Sequence, residues 1–312
     1  MDPLTDTFHL PILVDEVVHF FITDRSGTYV DATLGGGGYA AAILPILNKK
    51  GRYIGVDRDE DAVQHSRSRF PVSETRFIAR QGQLAQLNEV LKEEKISRID
   101  GLLLDLGVSS YQIDTAERGF GYLEEGPLDM RMDRSSGKDA SFVINEYSEK
   151  ELADTLYKYG EERRSRQIAR AIIASREANP INTTLELAAV IRRMTPRPHQ
   201  IKTLARVWQA LRFEVNGELD QLRKGLERSY PLLKSGGRMV VLSYESLMDR
   251  MVKRFFRGQE PLFSRFEEPG TVPEYSFTIL TKKVVRSSVQ EIAGNPRARS
   301  ARLRAAEKKE KG

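Results

Sequence analysis

Between Tyr29 and Asp57 the chain sets a short apolar run ending in a carboxylate, four successive glycines, an alanine-rich segment, and a second apolar run ending in another carboxylate. The residues are Tyr29-Val30-Asp31-Ala32-Thr33-Leu34-Gly35-Gly36-Gly37-Gly38-Tyr39-Ala40 and then Arg52-Tyr53-Ile54-Gly55-Val56-Asp57. Glycines let a ligand approach the backbone closely and carry a large entropic penalty, so four in a row argue for a loop with a task. The order strand, glycine loop, helix, strand, acid is that of a doubly wound α/β fold holding a nucleotide cofactor. Asp57 then accepts the two hydroxyls of a ribose.

The rest of the chain extends this pattern and then breaks it. Pro11 to Phe21 reads as an entry helix with proline in its first turn. After Asp57, a helix over Asp59 to Arg69, a strand over Arg76 to Arg80 and a helix over Leu84 to Lys95 are expected. Ile99-Asp100-Gly101-Leu102-Leu103-Leu104-Asp105 is an apolar strand ending in a third acid. Acids at such strand ends fall where a parallel sheet delivers residues to its ligand crevice. From Tyr111 to Ser141 no period is visible, and a loop of that length inside a domain is usually functional. Helical periodicity returns over Glu151–Tyr159, Ser165–Arg176, Thr184–Arg193 and Thr203–Leu211. The α/β pattern resumes with a Glu218–Leu233 helix, an Arg238–Tyr244 strand, a Ser246–Phe256 helix and a Tyr275–Val285 strand.

Charge follows the same division. The net charge is +5, yet Arg163–Arg212 alone carries +9 and Asn295–Gly312 carries +5, which leaves −9 for the remainder. Cations gathered in two segments of an otherwise acidic protein suit a polyanionic partner, the alternative being a solvated helix face and a disordered tail. With no cysteine the chain has no disulfide, thiolate metal site or cysteine nucleophile, and no metal is expected. The start, Met1 to Asp6, lacks the basic and apolar regions of a signal peptide, and no apolar run approaches the ~20 residues of a membrane span. A cytoplasmic protein with no membrane partner is expected, and a homodimer is compatible with the sequence.

The glycine loop also matches G-x-G-x-x-A, so a nicotinamide dinucleotide is one reading. Against it, Asp31 before the loop would face a pyrophosphate, whereas it suits the ammonium of S-adenosylmethionine. A glycine turn without any ligand is the third reading. For a methyl transfer, methylation at a pyrimidine ring carbon generally needs a cysteine, which is absent, so oxygen or nitrogen acceptors remain. An exocyclic amine needs an acceptor for its N–H to localise and orient the lone pair. Asp105 is the candidate for that catalytic role, with cofactor binding alone as the alternative. DNA amine methylases commonly carry Pro-Pro-aromatic at this point, where this chain has Leu106-Gly107-Val108. Ser109, Ser110 and Asn145 read either as base-edge contacts or as loop and cap residues, and Trp208 as a stacking platform or core.

Several longer motifs narrow the reading. Asp105-Leu106-Gly107-Val108-Ser109-Ser110, Arg118-Gly119-Phe120, Gly126-Pro127-Leu128-Asp129-Met130-Arg131-Met132-Asp133, Tyr159-Gly160-Glu161-Glu162, Gln209-Ala210-Leu211-Arg212 and Asn295-Pro296-Arg297-Ala298-Arg299-Ser300 together closely resemble the bacterial 16S ribosomal RNA (cytosine-N4)-methyltransferase family, RsmH/MraW. The resemblance runs from about His9 to the tail. It implies a class I, Rossmann-like methyltransferase sheet with an inserted, mostly helical substrate-recognition domain. It also implies S-adenosyl-L-methionine as donor and the N4 amine of a small-subunit ribosomal RNA cytidine as acceptor. By matched position, cofactor contacts fall on Gly37, Gly38, Tyr39, Asp57, Leu84, Asp105 and Gln112. The family usually has His at Tyr39, an aromatic at Leu84 and His at Glu245.

The expected organisation is 1–110 as the first part of the methyltransferase domain, 111–212 as the helical insertion, 213–290 as the second part, and 291–312 as a basic tail that grips RNA phosphates with the insertion. Two rivals stand beside the methyltransferase: an RNA-binding assembly factor with an inactive cofactor pocket, and a nicotinamide-dependent dehydrogenase.

Overall fold

The computed structural model describes residues 11–70, 74, 76–261 and 275–310, so Met1 to Asp6, His9 and the last two residues of the tail lie outside the described residues. The chain divides into two compact units, one made of 1–107 and 219–312 and the other of 108–218.

The first unit is built on a seven-stranded sheet. Its strands are β1 (Thr28–Asp31), β2 (Arg52–Asp57), β3 (Phe77–Gln81), β4 (Ile99–Asp105), β5 (Leu233–Ser243), β6 (Phe277–Ile279) and β7 (Arg302–Lys308). Their order is β3-β2-β1-β4-β5-β7-β6. The first five run parallel, while β7 is antiparallel to both β5 and β6. The chain moves outward from β1 to β2 and β3, then returns to the other side of β1 for β4. That reversal leaves a crevice outside the strand ends between β1 and β4, where this architecture binds ligands. The near-continuous apolar run of β4, with Leu102, Leu103 and Leu104 all fully buried, fits a strand covered on both faces. Helices Val14–Phe21, Gly38–Ile43 and Glu60–Arg69 belong to this unit. Val17, Phe21, Ala40, Ile43 and Val63 pack with Tyr29, Tyr53 and Leu103 into one apolar cluster.

The tail differs from expectation. Residues 302–308 are the strand β7, inserted between β5 and β6, rather than a free basic segment. Leu303, Ala305 and Ala306 are buried in the sheet. Arg304 forms a two-bonded pair with Asp249 at 2.6 and 3.1 Å, and Lys308 donates to the carbonyls of Tyr230 and Leu233. Small apolar residues between paired cations made this strand look like low-complexity sequence. The strand expected over Tyr275–Val285 is confined to Phe277–Ile279, with one isolated bridge at Val285.

The second unit is helical. Helices Ala140–Glu146, Glu149–Gly160, Ser165–Ala178, Thr184–Met194 and Gln200–Asn216 surround a core that includes Leu152, Leu156, Ile168, Leu187, Ile191, Val207 and Leu211. Sequence sets the helix ends. Ser148 with Glu151 and Thr183 with Glu186 form reciprocal capping boxes, and Gly217 in the left-handed region (φ 57°) stops the last helix. The aperiodic stretch expected as a loop is also core: Phe120, Leu128, Met130 and Met132 are buried within it. Its glycines allow backbones to cross, because a Cβ on Gly126 would collide with the Ala116 carbonyl and one on Gly119 would fall 2.9 Å from the Asp129 nitrogen.

Candidate cofactor and catalytic site

The glycine loop is anchored by main-chain and side-chain hydrogen bonds. Gly35 donates its N–H to Asp57 Oδ2 at 2.8 Å, and Gly37 donates to the Leu34 carbonyl at 2.9 Å. Ser66 Oγ donates to the Gly35 carbonyl and Arg69 Nη1 to the Gly36 carbonyl, each at 2.8 Å. Gly35 and Gly37 have φ of 51° and 74°, a region that only glycine occupies without strain. A Cβ on Gly37 would stand 3.0 Å from the Phe70 ring, and one on Gly38 would stand 2.9 Å from Pro11 Cδ. The loop thus packs between the Glu60–Arg69 helix and the entry segment.

Asp57 closes β2 as a half-buried residue whose carboxylate accepts from the Gly35 and Asp59 amides. Each of its oxygens accepts one main-chain bond, so lone pairs remain for a ribose diol. Burial pushes this carboxyl up to about 6, against the lowering effect of those two amides.

Asp31 behaves differently from expectation. It is fully buried; Oδ2 accepts the Tyr53 hydroxyl at 2.8 Å and Oδ1 accepts the Thr33 amide and hydroxyl at 3.0 and 3.2 Å. Burial pushes its carboxyl up to about 7 despite those bonds. The Asp31 carboxyl, turned inward onto Tyr53 and Thr33, organises the end of β1.

Asp105 closes β4 and is partly exposed. Its amide donates to Thr33 Oγ1 at 2.6 Å, Oδ1 accepts the Tyr244 hydroxyl at 2.9 Å, and Oδ2 lies 3.5 Å from the Tyr39 hydroxyl. Tyr39 donates more closely to the Ile12 carbonyl, at 2.7 Å, and its side chain is buried. Burial first, then the Asp105 charge, pushes the Tyr39 phenol well above its ordinary range. Its hydroxyl therefore anchors the entry segment and stands beside Asp105.

Of the residues singled out from sequence, the fold brings Asp57 to the glycine loop and Tyr39 to Asp105. Leu84 opens the short turn after β3 and packs on Gly225, where a Cβ would overlap its side chain. Gln112 belongs to the helical unit, where its side chain accepts from the Ser109 amide at 3.1 Å and caps helix Ser110–Asp114. Asn145 bridges Ser141 and Ile181 through main-chain bonds, and Trp208 is core, donating to the Gly121 carbonyl at 3.1 Å. Thr33 and Tyr244 were missed. Thr33 was legible as the hydroxyl two residues past the β1 acid; Tyr244 needed the β4–β5 register, which pairs Asp105 with Leu242.

The donor set fits S-adenosylmethionine: a carboxylate at the end of β2, a glycine loop in left-handed geometry after β1, and a second carboxylate across the reversal point at β4. The chain matches the MraW methylase family over residues 6–309. It is similar to the ribosomal RNA small subunit methyltransferase H of Syntrophotalea carbinolica, 43% identical across 95% of this chain and 96% of that protein. The protein of the same name from Prosthecochloris aestuarii is 44% identical, covering 98% and 96%. The likeness extends across both units and leaves no place for the dehydrogenase reading. The chain belongs to the MraW methylase family.

Proposed function

We propose that this chain transfers a methyl group from S-adenosylmethionine to the N4 amine of a cytidine in small-subunit ribosomal RNA. The observation that carries the mechanism is the half-buried Asp105 at the end of β4, whose carboxylate accepts the Tyr244 hydroxyl and whose main-chain N–H donates to Thr33 Oγ1. When bound, the cofactor supplies an electrophilic methyl on a positively charged sulfur. Asp57 binds the ribose hydroxyls, Gly37 and Gly38 admit the cofactor close to the backbone, and Tyr39 and Leu84 shape the walls around it. Asp105 accepts one N–H of the amine, which orients the nitrogen lone pair toward the methyl. As the primary amine becomes secondary it releases one proton, and Asp105 is placed to take it.

The helical unit supplies RNA contacts. Arg163, Arg166, Arg193, Arg197 and Lys202 are exposed on it. Such cations bind phosphates by releasing counterions, and the cytidine is turned out of its stack to reach the amine acceptor. The work takes place in the cytoplasm on small ribosomal subunits or their precursors. No helix among the described residues is long and apolar enough to cross a membrane.

The experiment is incubation of purified protein with labelled adenosylmethionine and unmodified small subunits, followed by nucleoside analysis. N4-methylcytidine is the expected product. RNA binding with no modified nucleoside, beside an active control enzyme, would instead establish the assembly-factor reading, which the Glu245 position motivates.

A further inference from the structure

In the helical unit the end of helix Thr184–Met194 and the start of helix Gln200–Asn216 meet at a tight corner. Gln200 closes it, its Nε2 donating to the carbonyls of Arg192 and Thr195 at 3.0 and 3.1 Å. The Thr195 amide donates to the Arg192 carbonyl at 3.2 Å and the His199 amide to the Pro196 carbonyl at 2.9 Å. Pro196 and Pro198 restrict the backbone on either side of Arg197. The corner is thus pinned by its own bonds, and little ordering entropy is lost when a partner binds it.

Its surface combines two chemistries. Leu187 to Phe213 holds six Lys/Arg and no Asp or Glu. Two of the six, Arg206 and Arg212, pair with Glu162 and Glu218. Arg193, Arg197 and Lys202, by contrast, are exposed at the corner, and their side chains have no ion-pair or hydrogen-bond partner among the described residues. In sequence between these cations stand Met194, 43% exposed, and Ile201, 71% exposed.

Unpaired cations suit any polyanion, and the apolar pair narrows the occupant. Apolar tips set among cations match a strand that offers phosphates and bare base faces side by side. In a paired RNA helix the base faces are stacked on one another, so only an unpaired segment offers both. We propose that this corner docks an unpaired segment of ribosomal RNA, with Arg193, Arg197 and Lys202 binding its phosphates and Met194 and Ile201 packing on its bases. The proposal rests on the ribosomal RNA reading above. It adds a contact that distinguishes unpaired from paired RNA, which phosphate binding alone does not.

The test measures binding of the full chain by fluorescence anisotropy to an unstructured RNA oligonucleotide, a fully paired RNA duplex of the same length and a polyglutamate peptide. Met194→Ser/Ile201→Ser should weaken binding of the unstructured RNA about tenfold, through lost burial of two apolar side chains, and leave duplex affinity at the parent value. Arg193→Gln/Arg197→Gln/Lys202→Gln should weaken binding of both RNAs. For the single strand it should flatten the slope of log affinity against log salt by up to about 2.1, at about 0.7 per phosphate. Both variants replace exposed side chains, so their urea midpoints stay at the parent value. Parent affinity for the unstructured RNA in the apolar variant, or an equal loss on the duplex, overturns the proposal. Polyglutamate bound more tightly than RNA, and lost in both variants, overturns it in favour of an acidic protein partner. Nucleoside analysis keeps the two levels apart. If the parent makes N4-methylcytidine while both variants bind RNA as the parent does, only the corner fails; if the parent makes none while RNA binding falls as expected, the methyl-transfer reading fails and the corner stands.

Discussion

Asp57 Oδ2 accepts the Gly35 N–H at 2.8 Å, so the acid that closes β2 also fixes the loop that follows β1. One side chain thereby links the end of β2 to the glycine loop. Asp57→Ala removes the proposed ribose acceptor and releases the loop amide together. Adenosylmethionine affinity should fall by roughly 10- to 100-fold, the effect of losing charge-assisted hydrogen bonds of about 1.5–3 kcal/mol. Titration calorimetry with S-adenosylhomocysteine measures it, and affinity equal to the parent would remove Asp57 from the site.

The same carboxyl gives a pH dependence. Burial raises Asp57 to about 6, and its ionised form is the better acceptor for ribose hydroxyls. Cofactor affinity should therefore be level above pH 7 and fall below about pH 6, approaching tenfold per unit. In Asp57→Asn the acidic decline should be absent, which a calorimetric series from pH 5 to 8 would reveal.

Asp31 makes a prediction about stability rather than binding. Its folded-state value of about 7 lies above the usual carboxylate value of ~3.9, so between those limits the native state holds a proton that the unfolded state has lost. Stability from this group is complete below about pH 4 and declines as pH rises toward 7. Asp31→Asn does not titrate, so the loss in urea midpoint between pH 5 and 7 should be smaller in the variant than in the parent. Equal losses would mean that Asp31 ionises freely in the fold.

How much of this was legible in sequence depends on the range of the interaction. The glycine loop and the three strand-end acids are signalled by residues within a few positions of each other, and all lie at the ends of elements as expected. What Asp31 faces was not legible. Its partner Tyr53 comes from the neighbouring strand, so only the parallel register of β1 with β2 shows that the carboxylate is occupied. Tyr244 was hidden for the same reason. The tail was misread because β7 is mostly cations and alanines, and its strand character comes from the neighbours that pair Arg304 with Asp249 and Arg238 with Glu307.

Within the helical unit, Arg212 and Glu218 form a buried ion pair with Nε to Oε1 at 2.7 Å. Removing one partner leaves the other charge in the interior. Arg212→Ala should cost about 3–5 kcal/mol, while the apolar double replacement Arg212→Met/Glu218→Leu should cost clearly less, since burying two ions already carries a desolvation penalty. Denaturant titrations that report the helical unit would measure both, and a double variant as unstable as the single would show that the pair is a net stabiliser.

RNA affinity should be distributed over exposed cations and separable from cofactor binding. Arg163 and Arg166 are both exposed near the start of the Ser165–Ala178 helix, in contrast to Arg206, which pairs with the buried Glu162 at 2.6 Å. Each phosphate contact on a single strand contributes about 0.7 to the slope of log affinity against log salt. The double variant Arg163→Gln/Arg166→Gln should therefore flatten that slope by up to about 1.4, weaken binding across unrelated RNA sequences alike, and leave S-adenosylhomocysteine affinity unchanged. Arg206→Gln, by comparison, should act mainly on stability, since it strands a buried carboxylate rather than a phosphate contact. A salt slope that stays at the parent value in the double variant would move the phosphate-binding face away from this helix.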